Sequence, residues 1–473
     1  MRFSNIWIFT AVLFSVTISS EIDTRVLDAL KSGGYDPSSA GVSIRILGDT
    51  VSGGGVNQDS MFNPASVQKL ITGCAALEIL GSEYRFKTRV MYDGSFNIDT
   101  GVLDGNLYIK GGGDPGFTAE RIWLFVQRML HYGLQEIKGD LIIDNTFFTE
   151  KNRGPGYSTG KSSRAYEAPV SPLSSSFNTV AVHVRPGMKE GSIIKIHPFP
   201  MASNFVVKNS AGTASSSGVS VSTVKRKKGG TGIYVSGSMS KDSDPRYIYR
   251  KIWDPAQNFG SVVEFYLNMN GVKIRGDIKK GKTPSEKVST YLTFDSKPLY
   301  ILLEGMYKYS NNFTAEMMLL TLAAEKKGEP GTWKKGSTLL KEWWQDKGFP
   351  GTPVIINGSG MGTNSVTPRQ ITTLLKEMTG NPETFPEHLS ALPVAGVNGT
   401  LENKFKDSEL KGILRGKTGT LAGSGVSNLA RYILLDSMTV VFTVFIKSTQ
   451  KGIHSHRRMH QTILESVYKT LKQ

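Results

Sequence analysis

Residues 63–70 read "NPASVQKL", and the meaning of this stretch decides the fold of the chain. Ser66 and Lys69 stand three positions apart, just after Pro64. The continuation "SVQKLITGCAALEILG" spaces Leu70, Ile71, Cys74, Leu77, Ile79 and Leu80 as one buried helix that stops at Gly81. Pro64 suits a first helical turn and Asn63 suits its cap. Positions i and i+3 share a helix face, so the Ser66 hydroxyl and the Lys69 amine can come within hydrogen-bond reach. A lysine stripped of its charge by burial or by a positive neighbour can accept the serine proton and leave a nucleophile. The spacing alone is equally that of a polar helix edge.

Two distant segments bear on that choice. Ser310-Asn311-Asn312 lies in "KYSNNFTAE", a polar link between two apolar-periodic stretches, and Lys417-Thr418-Gly419 lies in "LRGKTGTLAG". Each reads by itself as punctuation: Ser and Asn suit helix caps, and Lys-Thr-Gly suits a hairpin turn. Together, the order Ser-x-x-Lys, Ser-x-Asn, Lys-Thr-Gly resembles the motif set of the serine acyl-transferases that react with penicillin, and of related β-lactamases. Each piece has a physical task in such chemistry. Ser310 can relay a proton between a lysine and a leaving amine, and Asn312 can hold Lys69 and a substrate amide. Lys417 and the hydroxyls of Thr418 and Thr420 can meet a substrate carboxylate. Gly419 leaves room for an extended substrate at a strand edge. The N–H groups of Ser66 and Thr420 suit an oxyanion hole.

The likeness continues in "GGGDPGFTAE" at 111–120, "GDLIIDNTFF" at 139–148, "YEAPVSPLSSSFNTVAVHVRPG" at 166–187, "NGSGMGTNSVTP" at 357–368 and "LPVAGVNGTLENKF" at 392–405. With these segments the chain resembles, over nearly its whole mature length, the D-alanyl-D-alanine carboxypeptidases of the low-molecular-mass class C penicillin-binding proteins, the PBP4/DacB-type or peptidase S13 family. The resemblance implies an α/β (α+β) penicillin-binding serine transpeptidase-like, or β-lactamase-like, domain. Its antiparallel sheet is flanked by helices, and a long β-rich insertion splits it. It implies Ser66 as nucleophile, Lys69 as acylation base, Ser310 and Asn312 as second motif, and Lys417, Thr418 and Gly419 as third. The substrate implied is a peptidoglycan peptide ending in D-Ala-D-Ala, cleaved through an acyl-enzyme. D,D-endopeptidase action on cross-bridges and covalent inhibition by β-lactam antibiotics come with it, and no cofactor.

Some positions depart from the family pattern. Asn357-Gly358-Ser359-Gly360-Met361-Gly362-Thr363 replaces an Asp-Gly-Ser-Gly followed by a Ser-Arg pair. Asn398 stands for an aspartate, Lys404 for an arginine, and Arg431 for a glycine before Tyr432. In Ser174-Ser175-Ser176-Phe177-Asn178 only the second asparagine of a paired motif is kept. These changes touch the pocket wall and leave the three motifs intact.

The 473 residues suggest two to four domains. Residues 1–20 hold Arg2, an apolar run and small residues at Ser19 and Ser20, the pattern of a cleaved export signal. Residues 21–83 and 290–473 are rich in helical periodicity, while 84–289 alternates as short strands with one clear helix, "TAERIWLFVQRMLHYG". The expected organisation is a signal at 1–20, a catalytic domain over 21–83 and 290–473, and an insertion over 84–289. Two subdomains are expected in the insertion, 84–185 with 255–289, and 186–254. "SMTVVFTVFIKS" reads as a strand buried on both faces.

The single cysteine, Cys74, excludes an internal disulfide and belongs to the apolar run as core. The histidines show no metal-ligand spacing, so no metal is expected. "GGGDPG" lacks the lysine-serine of a phosphate loop, and Asp114 suits a turn. A net charge of +16 suits an anionic envelope polymer, a peripheral membrane contact or a solvated face, and export argues against nucleic acid. The expected location is periplasmic or otherwise extracytoplasmic. Two other readings share these motifs: a β-lactamase, against which no class A-like glutamate loop is found, and a non-enzymatic peptidoglycan-binding protein of the same fold.

Overall fold

The strongly apolar segment Thr439–Lys447 becomes the middle strand of a five-stranded sheet. Its alternate side chains are buried on both faces, as the lack of polar alternation predicts. The strand order is Gly55–Val56, Ala40–Leu47, Thr439–Lys447, Val426–Leu434, Leu414–Leu421, and every neighbouring pair is antiparallel. Leu414–Leu421, which carries Lys417-Thr418-Gly419, is therefore an edge strand. The computed structural model describes residues 19–47, 53–157, 162–227, 229–436 and 438–472. The expected export signal lies almost wholly outside them. No helix among the described residues is long and apolar enough to cross a membrane.

Helices cover both faces of this sheet. On one face, Ile22, Val26 and Leu30 of the helical residues 19–32 share a core with Ile463, Leu464 and Val467 of the Ile453–Leu471 helix, and with Val42, Ile44, Leu429 and Val444 of the strands. On the other, Ser43 Oγ lies 2.9 Å from Thr372 Oγ1 of the Pro368–Thr379 helix. That helix starts with a capping box at Thr367 and Gln370 and has Pro in its first turn, the signals expected of a helix start. This is the antiparallel sheet flanked by helices that the sequence implied.

The chain divides into two compact units: Met1–Glu83 with Leu299–Ala315 and Gly336–Gln473, and Tyr84–Pro298 with Glu316–Lys335. All three motifs lie in the first. Residues 316–335, expected with the catalytic domain, group with the inserted unit.

The inserted unit is built from short strands. Its largest sheet runs Ile278–Lys280, Leu141–Asp144, Leu107–Lys110, Lys87–Tyr92, Ser289–Asp295, with parallel and antiparallel neighbours. One core gathers Phe117, Phe125, Phe259 and Phe294 with the Ala119–His131 helix, and a second gathers Val180, Val182, Val184, Val221 and Ile233. The insertion holds a second long helix, Pro255–Met269, where one was expected. Asp254 accepts from Gln257 N and Pro255 opens the first turn, so its start was written in the sequence. Its apolar residues are spread around much of the circumference, which hid the period.

Candidate active site

Ser66 sits in a short 3-10 turn, Ala65–Val67, that feeds directly into the Gln68–Leu80 helix. Asn63, expected to cap the helix, braces the turn instead. Its Oδ1 accepts from Ala65 N at 2.9 Å and its Nδ2 donates to Gly362 O at 2.6 Å. Ala65 has φ +46°, a left-handed conformation that costs an L-residue roughly 1–2 kcal/mol. The turn is thus held by its surroundings. Ser66 keeps part of its surface open to solvent.

Lys69 lies one turn on, with no exposed surface. Its Nζ is 2.7 Å from Ser66 Oγ, 2.8 Å from Asn312 Oδ1 and 3.0 Å from Ser359 O. Those three acceptors match the three donors of an ammonium. When Nζ is neutral it offers a lone pair, and the shortest of the three contacts can reverse, with the Ser66 O–H donating to it.

A second lysine–serine pair stands beside the first. Lys417 is fully buried, and its Nζ donates to Ser310 Oγ and to Thr418 O, each at 2.8 Å. Burial pushes Lys417 well below the usual lysine range, and the charges of Lys69 and Lys404 push it the same way. Ser310 occupies the link between the Leu299–Lys308 and Asn312–Lys327 helices with φ +54°. The capping task expected of this tripeptide falls to Asn311, whose Oδ1 accepts from Thr314 N at 3.1 Å. Ser310 and Asn312 are left to face Lys417 and Lys69.

On the edge strand, Thr418 Oγ1 donates to Thr400 Oγ1 at 3.0 Å, and Thr420 is exposed. Gly419 serves differently from the expectation. A Cβ there would stand 2.6 Å from Pro64 O and 3.1 Å from Ser66 N. The space that glycine leaves is filled by the protein's own Ser66 turn rather than kept for substrate. The close approach brings the Ser66 turn against the strand that carries Thr420, whose N–H groups were expected to form the oxyanion hole.

The sequence reading missed the loop under the serine. Ser359 contributes a main-chain carbonyl, which no residue type announces. Thr72 Oγ1 donates to Gly358 O at 2.8 Å, and Gly360 N to Asn357 Oδ1 at 2.9 Å. Gly360 has φ +88°, and a Cβ on it would overlap Ala65 O. The segment that departs from the family pattern is therefore the bed of the Ser66 turn. A cavity of about 720 Å³ opens beside the site, lined by Ser66, Ser310, Thr418 and Thr420 at one end and by Lys404, Arg431 and His460 further along. Burial, with Arg431 and Arg457 nearby, pushes Lys404 down to about 7. Among the described residues no group of three or more His, Cys, Asp or Glu is placed to hold a metal ion. Cys74 is buried, its thiol pushed up by burial.

A partly exposed serine on a buried lysine, with a second serine on a second buried lysine, has the groups that serine acyl transfer needs. The D-Ala-D-Ala carboxypeptidase 3 (S13) family profile matches residues 30–465. A D-alanyl-D-alanine carboxypeptidase from an Actinomadura species is 31% identical over 385 residues, which cover 78% of this chain and 70% of that protein. D-alanyl-D-alanine carboxypeptidase DacB from Haemophilus influenzae is 25% identical over 411 residues, covering 84% of this chain and 82% of that one. Penicillin-binding protein 4 (dacB) from Haemophilus influenzae shares the fold, with a TM-score of 0.77 at 21% identity, over 94% of this chain and 99% of that structure. The chain belongs to the D-Ala-D-Ala carboxypeptidase 3 (S13) family, and with it to the penicillin-binding serine carboxypeptidases that act on peptidoglycan.

Proposed function

We propose that Ser66 is the nucleophile that releases D-alanine from peptidoglycan peptides ending in D-Ala-D-Ala. The observation that carries this is the 2.7 Å contact of Lys69 Nζ with Ser66 Oγ, fixed from behind by Asn312 at 2.8 Å. Neutral Lys69 takes the proton as Ser66 Oγ bonds to the penultimate D-Ala carbonyl. The N–H groups of Ser66 and Thr420 hold the developing oxyanion. Lys417, Thr418 and Thr420 hold the terminal carboxylate, and Gly419 keeps their strand against the serine. The C–N bond then breaks. The leaving amine receives a proton from Ser310 Oγ, which takes one from the Lys417 ammonium at 2.8 Å, while Lys69 keeps the Ser66 proton and returns it when Ser66 Oγ leaves the acyl carbon. Water releases the shortened peptide from Ser66 in the second half-reaction. Cross-bridge cleavage by D,D-endopeptidase action uses the same steps with a larger leaving residue.

The working form lacks residues 1–20, a signal cleaved near Ser20, and acts in the periplasm or another extracytoplasmic compartment. The catalytic domain draws on 21–83 and 290–473, apart from 290–298 and 316–335, which group with the inserted unit, and the insertion over 84–289 forms two subdomains. A charge of +16 supports peripheral contact with an anionic envelope surface.

The test is incubation with a labelled penicillin, followed by mass spectrometry of the peptide that contains Ser66. A covalent adduct is expected on the unsubstituted protein and none on Ser66→Ala. Mass spectrometry of a pentapeptide substrate should show loss of one alanine. An unsubstituted protein without adduct would overturn the assignment.

A further inference from the structure

The far end of the 720 Å³ cavity is cationic in an unusual way. Arg431 is 1% exposed, yet its Nε and Nη1 have no hydrogen-bond partner. It points along the cavity wall with Lys404, Arg457, Arg458 and His460, and among the described residues of that wall Asp407 is the one acid. No ion pair joins Lys404, Arg431, Arg457 or Arg458 to a carboxylate among the described residues. The Phe405 ring, 4.4 Å from the guanidinium carbon, is the main compensation Arg431 has. Burial pushes the Arg431 pKa down, but a guanidinium stays protonated in proteins, so the charge persists. His460 gives no relief: its Nε2 lies 3.1 Å from Ser427 O, and burial with the charges of Arg431 and Lys404 keeps the ring neutral. A buried cation with open donors, facing a cavity, suits an anion.

The placement indicates which anion. Arg431 stands opposite Gly416 in the sheet, and a Cβ at Gly416 would overlap the Arg431 side chain, so the glycine makes room for it. Gly416 is two residues along the strand from Thr418, about 7 Å at the usual strand rise. Thr418 lines the same cavity as Arg431 and Lys404. In the reading above, Thr418 and Lys417 hold the carboxylate of the residue that leaves. A side chain of two or three methylenes on that residue would run from Thr418 toward Arg431 within the same cavity.

We infer that Arg431 and Lys404 form a subsite for a second carboxylate, carried on the side chain of the leaving residue. The enzyme then favours cross-bridges or termini whose leaving residue is a D-diacid over those whose leaving residue is neutral. This inference rests on the proposed roles of Lys417 and Thr418, and the experiment separates the two.

Peptides with one common acyl half are made with D-Glu or D-Gln as leaving residue, and with D-2-aminoadipate or its side-chain amide. A D-Ala peptide is the reference for the reaction itself. The acid should exceed its amide in kcat/KM by about tenfold at one or both side-chain lengths, the scale of one charge-assisted hydrogen bond. The Kd values of the same peptides are measured on Ser66→Ala protein, where turnover does not intervene, and should show the same ratio. Lys404→Gln, at the half-buried rim, should bring the ratio toward one, as should Arg431→Met if that protein folds. Equal Kd and equal kcat/KM for acid and amide at both lengths would overturn the subsite while leaving D-Ala release standing. If no peptide is turned over, D-Ala included, the catalytic reading fails and the Kd pairs alone decide the subsite.

Discussion

The two units of the molecule each bury a lysine completely, and burial pushes both down, but the partners differ. In the inserted unit, Lys251 Nζ lies 3.6 Å from Glu167 Oε2 and 4.5 Å from the Trp253 ring. In the catalytic unit, Lys417 meets a hydroxyl and a main-chain carbonyl, and among the described residues no carboxylate pairs with it. A carboxylate partner favours the ammonium and makes a fixed structural pair. Neutral acceptors beside other cations hold the ammonium weakly, so it gives up a proton readily. Burial alone therefore does not mark a reactive lysine; the company it keeps does.

The sharpest way to break this contrast is to replace the buried lysine beside Ser66 in one unit and the carboxylate beside Lys251 in the other. Lys69→Met should lower the rate of β-lactam adduct formation by about 10²–10⁴-fold, the usual contribution of a positioned general base. Its melting temperature should hold or rise, since an apolar side chain of similar volume replaces a buried amine. Glu167→Gln should do the reverse. It leaves Lys251 charged and uncompensated, at a cost of about 3–5 kcal/mol in stability. Adduct formation below the melting transition should survive. Thermal unfolding and adduct kinetics on the two variants check both halves. A Lys69→Met protein that acylates normally would remove the distinction.

Much of this contrast was legible in the sequence, and the rest was hidden for physical reasons. Helical periodicity marked Gln68–Leu80 and both helices around Ser310, and apolar continuity marked Thr439–Lys447 as a central strand. Side-chain chemistry marked the three motifs. What stayed hidden depends on backbone: the positive φ of Ala65 and Ser310, and the carbonyl of Ser359 that holds Lys69. A carbonyl belongs to every residue type, so no letter signals it. Gly419 was noticed, but its neighbour was misjudged, because the letter shows only that space is needed. Arg431 was seen as a departure, and only the sheet register shows that it faces a cavity with Lys404.

Two glycines test the same point at smaller scale. Gly271 in the inserted unit has φ +82° and nothing within 4 Å of a Cβ, whereas Gly360 has φ +88° and the Ala65 carbonyl in the way. Gly271→Ala should cost about 1 kcal/mol from conformation alone. Gly360→Ala should cost that amount plus roughly 1–3 kcal/mol of overlap. Only the second should slow adduct formation, because the overlap displaces the turn that presents Ser66. Denaturant unfolding with adduct kinetics separates the two contributions.

The smallest effect is a difference in pH response. Lys404 is pushed down to about 7 by burial, then by Arg431 and Arg457, from an ordinary 10.5. Between those values the unfolded chain binds more protons than the folded one, so folded stability rises with pH across that window. Below about pH 7 both states carry the proton and the full penalty applies. Asp114 in the inserted unit has the opposite sign. Burial raises its carboxyl from 3.8 to about 6, so its contribution is present below 3.8 and is lost as pH rises through 6. Melting temperatures at intervals from pH 4 to 10 should therefore show two separate slopes. Asp114→Asn should gain on the unsubstituted protein only between pH 4 and 6. Lys404→Gln should lead it below pH 7 and lose that lead by pH 10. The same Lys404→Gln protein should keep rapid β-lactam acylation to a higher pH, because one of the cations that holds Lys417 down is gone and its ammonium persists further. An unchanged pH–rate profile would mean that Lys404 is outside the electrostatic reach of the lysine pair, and that the cationic wall acts on ligands alone.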